Sequence, residues 1–309
     1  MTSATEQVPP SGEQYELVSG DLRATVVEVG GALRELHIGD RPVLDGYPVD
    51  EMCVGAKGQS LLPWPNRVDG GHYRFQGQDY QLTLSEPASG NAIHGLVRWV
   101  PWRRLESAAA RIVMATRLHP QPGYPWTLDL EIAYALADDG LTVRTSAVNR
   151  SDSPCPFAAG AHPYLTAGTP TVDAAVLALP AGGYLPTDDR GIPTGREPVD
   201  GTPYDFRTPR SVGDTGIDYA FSDLERDAEG RATLTLSAPD GGGSVSLWAD
   251  PAYRYLEVFT ADTLPAGYRR TGLGVEPMTA PPNALVTGED LDVLEPGQSW
   301  TGAWGITAG

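Results

Sequence analysis

The stretch Leu128–Ala147 constrains the fold more than any other. Leu128, Leu130, Ile132, Tyr134 and Leu136 alternate with Asp129, Glu131 and small residues, Asp138-Asp139-Gly140 follows, and Leu141, Val143, Thr145 and Ala147 alternate again. Period two belongs to a strand with one buried face, and an Asp-Gly turn between two such runs marks a hairpin. The pattern recurs. Tyr73 and Phe75 lead through Gly77-Gln78 to Tyr80, Leu82 and Leu84, and Thr233–Ser237 leads through Pro239–Gly243 to Ser244–Trp248. Leu22–Val29, Leu33–Ile38, Ile112–Leu118, Tyr255–Thr260 and Ser299–Ile306 read as further strands. With 36 Gly and 28 Pro spread through 309 residues, no amphipathic run reaches helical length. Hairpin-joined strands without intervening helices imply an all-β chain of antiparallel sheets packed face to face or curled.

No linker divides the chain, so we expect a polar, disordered lead over 1–14 and one β domain over 15–309. The weakly periodic segment from Pro180 to Pro209 reads as a functional surface excursion. A chain of this length buries a sufficient core without staples. Forty acidic against 22 basic residues leave a net charge of -18, which argues against nucleic acid or an anionic membrane as partner. Cys53 and Cys155 fit no metal or redox spacing and read as buried free thiols. The lead has no apolar h-region and no run approaches membrane-spanning length, so the expected compartment is a reducing cytoplasm.

Five short stretches could carry chemistry, and each has a plainer reading. His162 lies in Gly160-Ala161-His162-Pro163-Tyr164, between small residues that permit close approach and a proline that favours extended backbone. It is either an acid or base near neutral pH or a satisfied core histidine. His94, in Asn91-Ala92-Ile93-His94-Gly95, poses the same choice. In Pro65-Asn66-Arg67-Val68 the guanidinium of Arg67 is a forked donor for ligand oxygens or half of a surface ion pair. Asp218, between Ile217 and Tyr219, is a turn cap or an acceptor for ligand hydroxyls. Glu276, in Gly274-Val275-Glu276-Pro277, is a solvated strand-end residue or a base whose pKa is raised by desolvation. His37, His72 and His119 read as surface residues. No histidine pair has metal-ligand spacing, and neither a nucleophile elbow nor a phosphate-cradling loop is present.

Taken together, these stretches resemble the aldose 1-epimerase (galactose mutarotase) family. Gly31-Ala32-Leu33 is similar to its early glycine turn, and Pro65-Asn66-Arg67-Val68 with Gly71-His72-Tyr73 to its arginine loop and hairpin. Asn91–Gly95 and Gly160–Tyr164 resemble its two histidine motifs. Ile217-Asp218 resembles its aspartate motif, and Glu276-Pro277 with Pro282-Asn283-Ala284 its glutamate motif. Each match is weak alone; their common order across the chain is specific.

The resemblance implies a large antiparallel β-sandwich, the supersandwich of that family, with an open cleft for a monosaccharide. It implies interconversion of α and β anomers of a free aldose, without cofactor or metal. Glu276 would act as base and His162 as acid, with Arg67, His94, Asp218 and Asn66 binding substrate. Trp64, Trp99 or Tyr164 would offer an apolar face to the ring. The run His94-Gly95-Leu96 lacks the second glycine of many members, which leaves the sugar open. Two alternatives share the fold: a hexose-6-phosphate 1-epimerase, for which Arg98, Arg103 and Arg104 would supply cations, and a non-catalytic carbohydrate-binding module.

Overall fold

The alternating runs become two large antiparallel sheets in the computed structural model, which describes residues 8–309. One has nine strands and is built on the long hairpin of Leu128–Ala137 and Gly140–Asn149, flanked by Arg111–Leu118 on one side and Ser299–Ala308 on the other. The other has eight strands, with Asp218–Leu224, Tyr255–Phe259 and Leu273–Met278 at its centre. A four-stranded sheet is formed by Gln14–Ser19, Leu22–Val27, Leu33–Ile38 and Arg41–Pro42. Among the described residues, helix is confined to Ala284–Thr287 and one short 3-10 turn. The all-β, antiparallel expectation therefore holds.

Burial follows the alternation. Leu128, Leu130, Ile132 and Tyr134 point into the main core, and Glu131 points out. In the eight-stranded sheet Phe221, Leu256, Val258 and Val275 join the same core. The residues between them face the other way. That second face carries the cleft.

Three local expectations change. The long hairpin turns on Asp138-Asp139, because Ala137 already pairs with Gly140. The lead orders before residue 15: Glu28 N–H donates to Glu13 O, Val29 N–H to Ser11 O, and Gln14 begins a strand. Backbone pairing at its C-terminal end outweighs its polar composition, while residues 1–7 lie outside the described residues. The Pro180–Pro209 excursion contributes Ala181–Leu185 and Glu197–Pro198 to the edge of the eight-stranded sheet. Its Arg190 pairs with Asp69 and donates to Asn91, so it braces the loops around Arg67 and His94.

One glycine sets the height of the His94 loop. Gly95 has φ +69°, and a Cβ there would sit on the Leu62 carbonyl, which accepts the Leu96 N–H at 2.7 Å. Gly95→Ala combines left-handed strain with this clash and should cost about 1–3 kcal/mol. Chemical denaturation checks this.

Candidate active site

Register brings His162 and Glu276 together. Leu273–Met278 pairs with two short strands, with Gly160 opposite Met278 and Tyr164 opposite Gly274. Continuing that register sets His162 opposite Glu276. On its other side Glu276 pairs with Glu257, and Glu257 pairs with Ala220. Directly opposed residues share a face. One row across the sheet thus reads His162, Glu276, Glu257, Ala220. The adjacent row reads Tyr164, Gly274, Phe259, Asp218.

Glycine opens the space between the rows. A Cβ on Gly274 would lie 3.2 Å from Phe259 Cβ and 3.5 Å from His162 Cε1. His162 Nε2 lies 3.1 Å from Glu276 Oε1, and both residues are buried. The main chain of His162 is held on both sides: its N–H donates to Gln59 O at 3.0 Å and its carbonyl accepts Gly58 N–H at 2.9 Å. Its ring stacks on Tyr164 with centroids 4.9 Å apart, and Tyr164 Oη donates to Gly55 O. Lys57, buried and paired with Asp45, lies under the Tyr164 ring.

His94 arrives from the opposite wall. Its backbone has φ +60°, and its ring sits 5.3 Å from that of His162. Asn66 N–H donates to His94 Nδ1 at 3.1 Å. Nδ1 is therefore the acceptor, which assigns the proton of the neutral ring to Nε2 and makes His94 a donor. The Asn66 side chain is used locally, accepting Arg67 N–H at 2.8 Å. Arg67 itself grips Glu86 through Nε and Nη2 at 2.9 and 3.0 Å. Asn283 N–H donates to Arg67 O at 2.7 Å, so the asparagine of the last motif secures the arginine loop.

These residues line one cleft of about 280 Å³, in which Arg67, Asn66, His94, His162, Asp218 and Glu276 all take part. Larger hollows of about 530 and 480 Å³ lie elsewhere, against Glu16–Asp40 and along the strands bearing Arg117 and Asp129. Neither gathers a buried acid–base pair. Of the aromatics proposed to face a ring, Trp64 is in the core, and Tyr164 lines the cleft with its ring stacked on His162. Trp99 lines the cleft and is 52% exposed. Arg103 and Arg104 lie on an exposed strand, whereas Arg98 lines the cleft.

Burial moves the titrations. Desolvation, reinforced by the charge of Arg98, takes His162 down to about 3. The same two causes hold His94 well below the usual histidine range. Desolvation and the Asp218 charge push the Glu276 carboxyl well up, and Glu276 Oε2 has no hydrogen-bond partner. Burial thus favours a neutral His162 ring and a protonated Glu276 carboxyl, which face each other across 3.1 Å.

The ligand atoms of His94, His162 and Glu276 lie within 4.8 Å of one another, close enough for a metal ion. The Asn66 bond opposes that use, since it leaves the His94 proton on the nitrogen that would have to offer a lone pair.

Glu257 is the residue that sequence reasoning missed. It is 2% exposed and lies close enough to Asp218 and Glu276 for both charges to act on it. Desolvation and those two carboxylates push its carboxyl well above the usual range. A raised native pKa stabilises fully below the unfolded value of about 4.3, and that stability is lost as pH rises toward the native value. Glu257→Gln removes this titration while keeping the size of the side chain. Its melting temperature relative to the parent should therefore climb between pH 5 and 8, as calorimetry can measure.

The family model described as aldose 1-epimerase matches residues 13–307. The uncharacterized protein YihR of Escherichia coli K12 is 36% identical over 289 residues, covering 93% of this chain and 91% of that protein. The galactose mutarotase of Pongo abelii is 29% identical, covering 69% and 68%. In fold, a GalM/aldose epimerase homologue from C. elegans superposes with a TM-score of 0.86 at 19% identity, covering 96% and 98%. Galactose 1-epimerase from Lactobacillus acidophilus gives 0.80 at 19%, covering 96% and 94%.

Proposed function

The chain belongs to the aldose 1-epimerase family, isomerases that act on carbohydrates, and on that premise we propose that it interconverts the α and β anomers of a free aldose through acid–base ring opening at Glu276 and His162. The observation that carries this reading is the 3.1 Å approach of Glu276 to His162 inside the cleft. The reaction moves protons only, and a positioned acid and base with separated pKa values suffice for it.

In the reactive form Glu276 is ionised and His162 carries the shared proton. Glu276 takes the proton of the C1 hydroxyl as His162 protonates the ring oxygen. The bond between C1 and the ring oxygen breaks, leaving an open-chain aldehyde. After rotation about C1–C2, His162 removes the hydroxyl proton of the former ring oxygen, which attacks the other face of C1. Glu276 then returns its proton to the new C1 hydroxyl oxygen. No net proton is gained or lost.

His94 Nε2–H and Arg67 donate to sugar oxygens, Asp218 accepts from ring hydroxyls, and Asn66 acts chiefly by orienting His94 and Arg67. Trp99 offers the ring an open aromatic face. A monosaccharide partner and a reducing cytoplasm agree with the cleft size and the two buried thiols.

NMR exchange spectroscopy on free aldoses, with glucose and galactose in the panel, tests the reading. Glu276→Gln and His162→Gln should each slow anomer exchange by ~10²–10⁴-fold while sugar still binds. Exchange unchanged in Glu276→Gln would instead leave a carbohydrate-binding module.

The pH profile supplies a second check. The pair holds its one reactive proton above about 3, where His162 takes up a second. It loses that proton only as pH rises through the elevated Glu276 value. kcat/KM should therefore show no acid-side break near 6.5, and should decline on the alkaline side at a pKa well above an ordinary carboxylate.

A further inference from the structure

The chain carries 22 basic side chains, and Lys57 is the only lysine among them; the rest are arginines. This one ammonium is buried, at 1% exposure. Nζ donates to Asp45 O at 3.1 Å and pairs with Asp45 Oδ2. That carboxylate oxygen also accepts the Thr271 hydroxyl at 2.7 Å, and Asp45 N–H donates to Tyr164 O at 2.9 Å. Nζ lies 4.7 Å from the centre of the Tyr164 ring and 5.4 Å from that of Tyr268. The Tyr164 ring is in turn parallel to the His162 imidazole to within 5°.

Lys57 belongs to the loop that clamps the His162 main chain through Gly58 and Gln59. Beside it Ala56 holds φ +59°, a strained shape that surrounding contacts must maintain. One side chain thus reaches both supports of His162, the loop it springs from and the stacked tyrosine. Among the described residues the cleft is lined by Cys53, Gly55, Ala56 and Tyr164 but not by Lys57, which stands behind that wall. Stability alone does not account for a lysine here. Desolvation lowers the Lys57 pKa, and its partner Asp45 is only partly buried. Apolar side chains of similar volume often serve as well as such a pair or better.

Resting on the epimerase reading, we propose that Lys57 is a positioning residue for His162. Anchored on Asp45, its ammonium fixes the Tyr164 ring and the 53–59 loop, and through them the plane in which the imidazole meets the sugar. Attraction between the cation and the ring face gives Tyr164 one preferred orientation, and the parallel stack passes it to His162. No hydrogen bond does this instead. A histidine that moves protons is commonly oriented by a bond at its second nitrogen, but His162 Nδ1 is buried without a partner in the protein. A compact ammonium suits the confined place, where the broader guanidinium used elsewhere in the chain would need more room.

The test combines calorimetry with anomer exchange on the panel of free aldoses, for the parent, Lys57→Met and Lys57→Met/Asp45→Asn. The double variant removes both charges while the amide oxygen at position 45 still accepts Thr271. It should melt at or above the parent temperature. Its kcat should nevertheless fall about 10- to 100-fold, the loss expected of a misaligned reacting group, with KM changed by less than about twofold. Lys57→Met alone strands the Asp45 carboxylate, so it should lose as much kcat and also melt lower. Placed in a His162→Gln background, the double variant should cost little further rate, because Lys57 acts through His162. Parent kcat in the double variant, or a raised KM with kcat intact, would overturn the inference and leave the epimerase reading standing. So would a double variant that melts well below the parent, or a rate loss that persists in full without His162. Exchange absent in the parent for every aldose would overturn both.

Discussion

Everything in the cleft depends on the pairing of Leu273–Met278 with its neighbours. In an antiparallel sheet opposed residues share a face, and a slip of one residue sends every side chain to the other side. The observed register puts Glu276 between Glu257 and the position of His162, while Val275 and Pro277 turn toward the other face. The same alternation that buries Phe221, Leu256 and Val258 in the core thus aligns the row of His162, Glu276 and Glu257 opposite them. Stability and chemistry are two faces of one set of strands. A change that disturbed the core packing of Val275 would also move Glu276.

The loops converge on that row because each is held by backbone bonds, to which the Arg190 side chain adds an ion pair at Asp69. His162 is clamped by Gly58 and Gln59, and His94 is bonded at both its main chain and its ring to Asn66. The Arg67 loop is held by Asn283 and by the edge segment that carries Arg190. Such bracing fixes side-chain positions at little entropic cost at the moment of binding. It also fixes protonation, since the Asn66 N–H decides which nitrogen of His94 carries the proton.

Electrostatics adds a second layer. Three carboxylates close together cannot all ionise cheaply in a desolvated cleft, and two of them, Glu257 and Glu276, are pushed up strongly. Arg98 works in the opposite sense on the histidines. Both effects favour an uncharged resting pair that already holds the proton the proposed reaction needs.

Much of this was legible beforehand. Alternation located the long hairpin to within a residue or two, because one buried face imposes period two on any strand. His162, His94, Arg67, Asp218 and Glu276 stood out as polar residues in apolar or proline-stiffened surroundings, and all five meet in the cleft. Glu257 carried the same signal, a lone carboxylate within Tyr255–Phe259, but the run read as an ordinary core strand. Trp64 and Trp99 were indistinguishable by sequence, since each sits beside proline or basic residues that suit either core or surface.

By itself, then, the chain's order of residues determined strand content, hairpin partners and which side chains are chemically unusual, because these depend on neighbours a few positions apart. Only the tertiary structure decided which unusual residues meet. His162 and Glu276 are far apart along the chain, and no local pattern encodes the register between strands brought together by long connections.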